Sequence, residues 1–321
     1  MSPHGDEASG PTPAADSVLL LAFGGPTEPA HVLPYLKIVT CGRGIPEERL
    51  KGVEHHYMEV GGRSPYNERT EALRVSLERW LAGRDLRLPV YAGMRNWHPY
   101  LFDTVHRMNQ EGRRHAIGVI LSAHRCEASW GRYMVDYQRA RLANHGVAPV
   151  ITYVDAVFED AHFLEANAQC IETATGFRRR AWPSAVPVLF TAHSIPLRMP
   201  GRETYERDLR ASCEGVARLL GVTDWELTYQ SRSGDPRTPW LEPDVGDAIL
   251  ARAAAGTREI VVQAIGFLSD HVEVLFDLDV EARTICEGLG VRMHRAPCVN
   301  DHPEFVAALG EEIARRIGQP A

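Results

Sequence analysis

The strongest constraint on this chain is an alternation: apolar runs too short for helices, separated by longer stretches with helical spacing. Residues 18–23 read VLLLAF and stop at Gly24-Gly25-Pro26. An unbroken apolar run of that length suits a strand in a parallel sheet, where helices cover both faces. Further strands are expected at 88–93, 116–122, 149–154, 187–191, 226–231, 259–265 and 291–294. Helices are expected at 67–83, 99–109, 129–144, 160–176, 203–220, 243–254 and 303–317. Strands alternating with helices define an α/β fold with parallel sheets.

The pattern also repeats. Trp97, Asp103, Gly112 and the run to Ser122 echo Trp240, Asp247, Gly256 and the run to Gly266, at an offset of 143 to 144. VLLLAFGGP at 18–26 likewise echoes PVLFTAHSIP at 187–196. Two similar Rossmann-like domains are therefore expected, at 17–152 and 153–321. The second would include the closing helix 303–317, and a disordered leader would occupy 1–16. Such a pair places a ligand cleft between the halves, outside the carboxyl ends of the strands. Neither a GxGxxG nor a GxxxxGK[ST] motif accompanies the strands, which removes the motif support for a nucleotide site.

At 321 residues the chain accommodates two domains of about 150 residues each. Its formal charge of −7 gives no general attraction to nucleic acid. No apolar run approaches the about 18 residues that a membrane span needs, so no transmembrane segment is expected. The N-terminus, acidic and rich in Pro, Ser and Gly, does not read as a secretory signal. Six cysteines are scattered without a CxxC pair, consistent with reduced thiols in a cytoplasmic protein.

Three features carry chemistry. His193 follows the apolar run LFTA, where a strand end meets a cleft. Glu273, Asp277 and Glu281 recur every four residues after the strand at 259–265, which puts them on one helix face. Read alone, this acidic file fits either a solvated face or a track for cations or protons. Asp270 is placed to cap the helix. Residues 28–70 read as three helices interrupted at 42–44 and 61–65. Their cationic and polar side chains, among them Lys37, Arg43, Arg49, His55, His56, Tyr57 and Arg63, fit a solvated surface or an anion-receiving rim.

TAHSIP at 191–196 and GFLSDHVEVLFDLD at 266–279, supported by LLLAFGGP, GGRSPYN, GMRNWHPY and YQSRSGDPRTPWLEPDV, resemble the ferrochelatase family over nearly the whole chain. The wording is most like that of actinobacterial-type members. The resemblance implies a lyase of heme and porphyrin biosynthesis that inserts Fe²⁺, as substrate, into a porphyrin. His193 and Glu273 fall on the family's catalytic and metal-meeting pair, and Asp277 and Glu281 would continue as a proton or metal relay. The resemblance implies porphyrin contacts at Phe23, Arg43, His56, Tyr57, Ser64, Asn96, Ser122 and His124, with 33–70 as the lip.

The chain departs from family patterns in four places. Phe23 stands where some members carry a tyrosine able to ligate iron, and Asn96 where some carry a histidine. No cysteine follows Cys298, and Trp130 occupies the mid-chain cluster position, so no [2Fe–2S] cluster is expected. His56 replaces a common arginine. The polar, cationic lip suits the four propionates of coproporphyrin III, giving Fe-coproporphyrin (coproheme) as product. Protoporphyrin IX is the alternative within the family. A cobalt chelatase of corrinoid synthesis and a non-catalytic tetrapyrrole-binding protein are alternatives outside it. A monomer in transient contact with neighbouring heme-pathway enzymes is expected.

Overall fold

The structure, a computed structural model, describes residues 14–42, 44–179, 181–232 and 237–317. Among these, two four-stranded parallel sheets form. The first holds β1 (Ser17–Ala22), β2 (Val90–Met94), β3 (His115–Ile120) and β4 (Val150–Tyr153), in the order β2-β1-β3-β4. The second holds β5 (Val188–His193), β6 (Trp225–Gln230), β7 (Glu259–Gln263) and β8 (Arg292–Ala296), in the order β6-β5-β7-β8. The two orders are equivalent, so the sequence echo is a repeat of topology. It reaches the loops as well. After the second strand of each sheet, Met94 N–H donates to the Pro99 carbonyl and Tyr229 N–H to the Pro243 carbonyl.

The helices are α1 (Pro29–Val39), α2 (Glu47–Glu59), α3 (Tyr66–Ala82), α4 (Leu101–Gln110), α5 (Arg132–Ala143) and α6 (Ala161–Thr175), then α7 (Arg202–Leu220), α8 (Val245–Ala254), α9 (Val272–Val274), α10 (Arg283–Gly288) and α11 (Pro303–Arg316). A π-helical stretch, Leu275–Ala282, joins α9 to α10, and another, Glu127–Gly131, leads into α5. The expected strands and helices all form, with ends shifted by no more than three residues.

The apolar strands are covered on both faces. Val18 and Leu20 of β1 meet Leu73, Leu77 and Leu81 of α3, while Leu19 and Leu21 meet Val105 and Met108 of α4 and Tyr137 of α5. This is the period-two alternation of a strand applied to two apolar layers. In the second sheet Phe190 faces Leu209, Cys213 and Val216 of α7, and Leu189 faces Ile249 of α8.

The closing helix, expected in the second half, packs on elements of both halves. Phe305, Leu309 and Ile313 of α11 lie in the core of the first sheet, with Leu77 and Val119. Gly310 makes this possible: a Cβ there would lie 2.3 Å from the Trp80 ring. α11 thus lies against α3 of the first half and also against Phe163 and Ala166 of α6. The leader 1–16 falls almost wholly outside the described residues.

In each sheet the chain leaves its first strand toward one neighbour and later returns to the other side. Crevices form at such switch points, β1/β3 and β5/β7, beyond the carboxyl ends.

Candidate active site

His193 ends β5 and the segment Ala264–Asp270 leaves β7 beside it. Their approach depends on Gly266, because a Cβ there would sit 2.4 Å from Ala192 Cβ and 2.7 Å from Ala192 Cα. Gly266 N–H then donates to the Thr191 carbonyl, tying the strand ends together. His193 is half-buried, with the Phe267 ring 6.5 Å away. Its Nδ1 lies 2.5 Å from the Ser194 carbonyl oxygen. A carbonyl only accepts, so Nδ1 carries a proton, and in the neutral ring the lone pair sits on Nε2.

The sequence placed Asp270 at the helix cap; the structure gives that position to His271. The His271 Nδ1 accepts from the Glu273 N–H at 3.2 Å. Asp270 instead accepts from Arg295 at 2.6 Å and from Asn300 at 2.8 Å. Arg295 also reaches Asp279 at 2.9 Å, so this nearly buried guanidinium anchors the acidic helix from behind. Burial lowers the His271 pKa below its ordinary value, with His193 adding to the effect against the opposing pull of Glu273 and Asp270. Its ring stands 5.1 Å from Phe267 and 6.0 Å from Tyr66 of the first half. His271 therefore links His193, Glu273 and the opposite domain.

The acidic file runs along α9 and the π-helical stretch. Glu273 is exposed at its inner end. Asp277 Oδ2 accepts from Gln230 Nε2 at 3.1 Å and from the Ser231 hydroxyl. Burial, joined by Glu273 and Glu281, raises the Asp277 carboxyl to about 7 against the opposing pull of those two hydrogen bonds. The exposed Glu281 is also raised, first by desolvation of its head group and then by Asp244 and Glu59, with His56 opposing.

The lip closes over this helix. Val32, Tyr35, Leu36, Leu50 and Tyr57 form an apolar cluster that includes Val272. Burial raises the Tyr57 phenol well above its ordinary value, and Glu273 adds to the rise. His56 stacks on Phe276, centroids 4.0 Å apart and planes 8° from parallel.

The remaining expected contacts divide. Phe23 is exposed just past β1. Asn96 is buried, and its Nδ2 donates to the Phe23 carbonyl at 3.2 Å, so it braces that turn. Ser64 is buried as well, with its Oγ accepting from Tyr66 N–H. Ser122 donates to the His124 carbonyl at 3.0 Å in the loop after β3. His124, expected at the porphyrin, is corrected: it is 1% exposed. Its Nε2 lies 2.9 Å from Ser212 Oγ and its ring meets Phe163. Burial drives its pKa down to about 3, leaving a neutral interior residue with no open face. Arg43 lies outside the described residues. His271, Gln230 and Ser231 went unread in the sequence, although Gln230 ends a strand as His193 does.

Among the described residues no three His, Cys, Asp or Glu side chains form a ready metal cage. An ion that is cargo has to be released, so a partial ligand set suits it better than a closed one.

Comparison with known proteins defines the class first. The sirohydrochlorin chelatase SirB of Bacillus subtilis subspecies spizizenii, solved with cobalt, superposes with a TM-score of 0.56 over 94% of this chain and 95% of its own, at 11% identity. The architecture is thus the two-domain chelatase fold. The ferrochelatase family model matches residues 15–317, and the chain belongs to that family. It is 40% identical to the ferrochelatase of Rhodopirellula baltica, over 96% of this chain and 88% of that protein. It is 41% identical to the coproporphyrin III ferrochelatase of Mycolicibacterium smegmatis, over 90% of this chain and 86% of that one.

Proposed function

We propose that this chain inserts Fe²⁺ into coproporphyrin III, releasing two protons and Fe-coproporphyrin. The observation that carries the reading is a half-buried His193, engaged only through Nδ1 in the bonds described above, joined through His271 to the inner end of a carboxylate file. Metal insertion requires two pyrrole protons to leave as the ion arrives. His193 Nε2 accepts one proton, and Glu273, its neighbour through His271, meets the cation and steadies the positive charge. Asp277, poised near neutrality, and then Glu281 pass protons or hydrated cations between the cleft and solvent. The cleft bends the macrocycle so that its nitrogen lone pairs face the metal, using binding energy from the periphery.

Coproporphyrin III as substrate draws support from the names of the mycobacterial relatives and from the polar lip. Arg43, His56, Tyr57 and Ser64 would border its propionates, with Phe23 against the macrocycle and Asn96 and Ser122 shaping the floor. No [2Fe–2S] cluster is proposed. Cys126 and Cys213 lie in one core cluster and Cys286 and Cys298 in another, a poor arrangement for four thiolates on one centre. The free thiols fit a reducing, cytoplasmic setting. A monomer that hands its product on through transient contacts completes the proposal.

Anaerobic Fe²⁺ insertion with coproporphyrin III and with protoporphyrin IX tests the reading. Faster turnover of coproporphyrin is the expected outcome, and preference for protoporphyrin overturns the substrate assignment. His193→Ala should bind porphyrin yet lose roughly 100-fold or more of the insertion rate, within the usual range for general-base removal. Retained turnover in that variant sinks the mechanism.

A further inference from the structure

Gln230 is 1% exposed at the carboxyl end of β6, in register with His193 of β5. A primary amide buried so deeply needs partners at both ends. Its Oε1 accepts from Thr191 Oγ1 at 3.2 Å, and its Nε2 donates to Asp277 Oδ2 at 3.1 Å. Thr191, itself fully buried, is two residues before His193 on the same face of β5. The next residue, Ser231, takes φ of +61°, a conformation uncommon for a residue with a Cβ. That turn brings its hydroxyl to the same Asp277 oxygen. Backbone strain kept at a site beside a cleft points to a use for it.

Both of these hydrogen bonds fall on Oδ2, so they hold the carboxylate through one oxygen. The two neighbours along the file, Glu273 and Glu281, carry like charge and favour swinging the carboxylate away. The π-helical wind of Leu275–Ala282 supplies no side chain that opposes this; the donors come from β6.

We propose that Gln230 and Ser231 form a positioning clamp that sets the working oxygen of Asp277 and, through Thr191, locks the acidic file in register with the strand carrying His193. This rests on the ferrochelatase reading and adds a role for residues that touch neither porphyrin nor metal. The clamp donates to the ionised carboxylate and so also opposes the burial that would keep Asp277 protonated.

The test pairs Gln230→Leu, which removes both bonds, with Gln230→Glu, which keeps the shape but replaces the donor to Asp277 by an acceptor. Both should lower kcat for Fe²⁺ insertion about tenfold, the scale of a lost bond to a charged group. Porphyrin KM should stay within about twofold, because the clamp acts on a step after binding. Combining Gln230→Leu with Asp277→Asn should be no slower than Asp277→Asn alone. Additive losses, or a change confined to KM, overturn the clamp. A crystal structure of Gln230→Leu gives a readout without turnover: Asp277 should leave its single orientation, and an unmoved carboxylate overturns the proposal. If the unmodified chain inserts no iron, the ferrochelatase reading fails, while the Asp277 orientation still decides the clamp.

Discussion

His56 lies flat against Phe276, so a helix of the lip rests directly on the helix that carries the acidic file. The lip is otherwise joined to that helix mainly through the apolar contact of Val272 with the Tyr35 and Tyr57 cluster. An aromatic pair of this geometry contributes about 0.5–1.5 kcal/mol beyond buried area. His56→Ala should therefore speed amide exchange across Glu47–Glu59 several-fold while global Tm moves little. Unchanged protection in α2 would show that the stack holds nothing.

Gly266 tests the approach of the two strand ends. A methyl group in Gly266→Ala would overlap Ala192, including its Cα, which has nowhere to retreat within β5. Overpacking of this kind costs about 1–3 kcal/mol. Urea denaturation should register that loss, and insertion activity should fall further still because β5 carries His193. Full stability in the variant would mean that the β5–β7 contact is looser than described.

Asp277 makes stability depend on pH. Its carboxyl is raised from an ordinary value of 3.8 to about 7. Between those values the folded chain holds a proton that the unfolded chain releases. The associated stability is complete below pH 3.8 and is lost as pH rises through about 7. Asp277→Asn should accordingly raise Tm relative to wild type at pH 8, with the gain shrinking toward pH 5. Insertion should show the opposite limb, increasing as pH passes about 7 in the wild type and flattening in Asp277→Asn. Thermal melts and rate profiles across pH 5 to 9 read both.

Arg295 faces Asp270 and Asp279 with almost no access to water. Replacing it by Met leaves Asp270 buried without its cation, which costs about 3–5 kcal/mol. Arg295→Met should lower Tm sharply, and adding Asp270→Asn should restore part of the loss. A mild effect of the single variant would show that water reaches Asp270.

Much of this was legible in the chain because the dominant signals are local. The run at 18–23 is apolar without interruption, and that at 259–265 nearly so between Glu259 and Gln263, as sheets buried on both faces require. His193 stood out because a polar residue ending such a run faces the switch-point crevice. Local pattern misled where a choice depended on distant partners. Asp270 is a good cap by type, yet Arg295 and Asn300, arriving with β8 and the loop after it, claim its carboxylate and leave the cap to His271. His124 follows β3 just as a cleft residue would, but Ser212 of α7 draws it inward. Nothing in residues 275–282 announced a π-helical wind, since i,i+4 spacing reads the same in either helix.

The return of α11 to the first sheet bears on how the chain is made. The face of β1 and β3 lined by Val18, Leu20, Ile117 and Val119 is finished only by Phe305, Leu309 and Ile313. On the ribosome the amino-terminal half emerges long before its last apolar layer, and its relative contact order is raised accordingly. The face of β1 and β3 should therefore stay more open to proteases and chaperones until α11 joins it, after α6 and the second sheet have been translated.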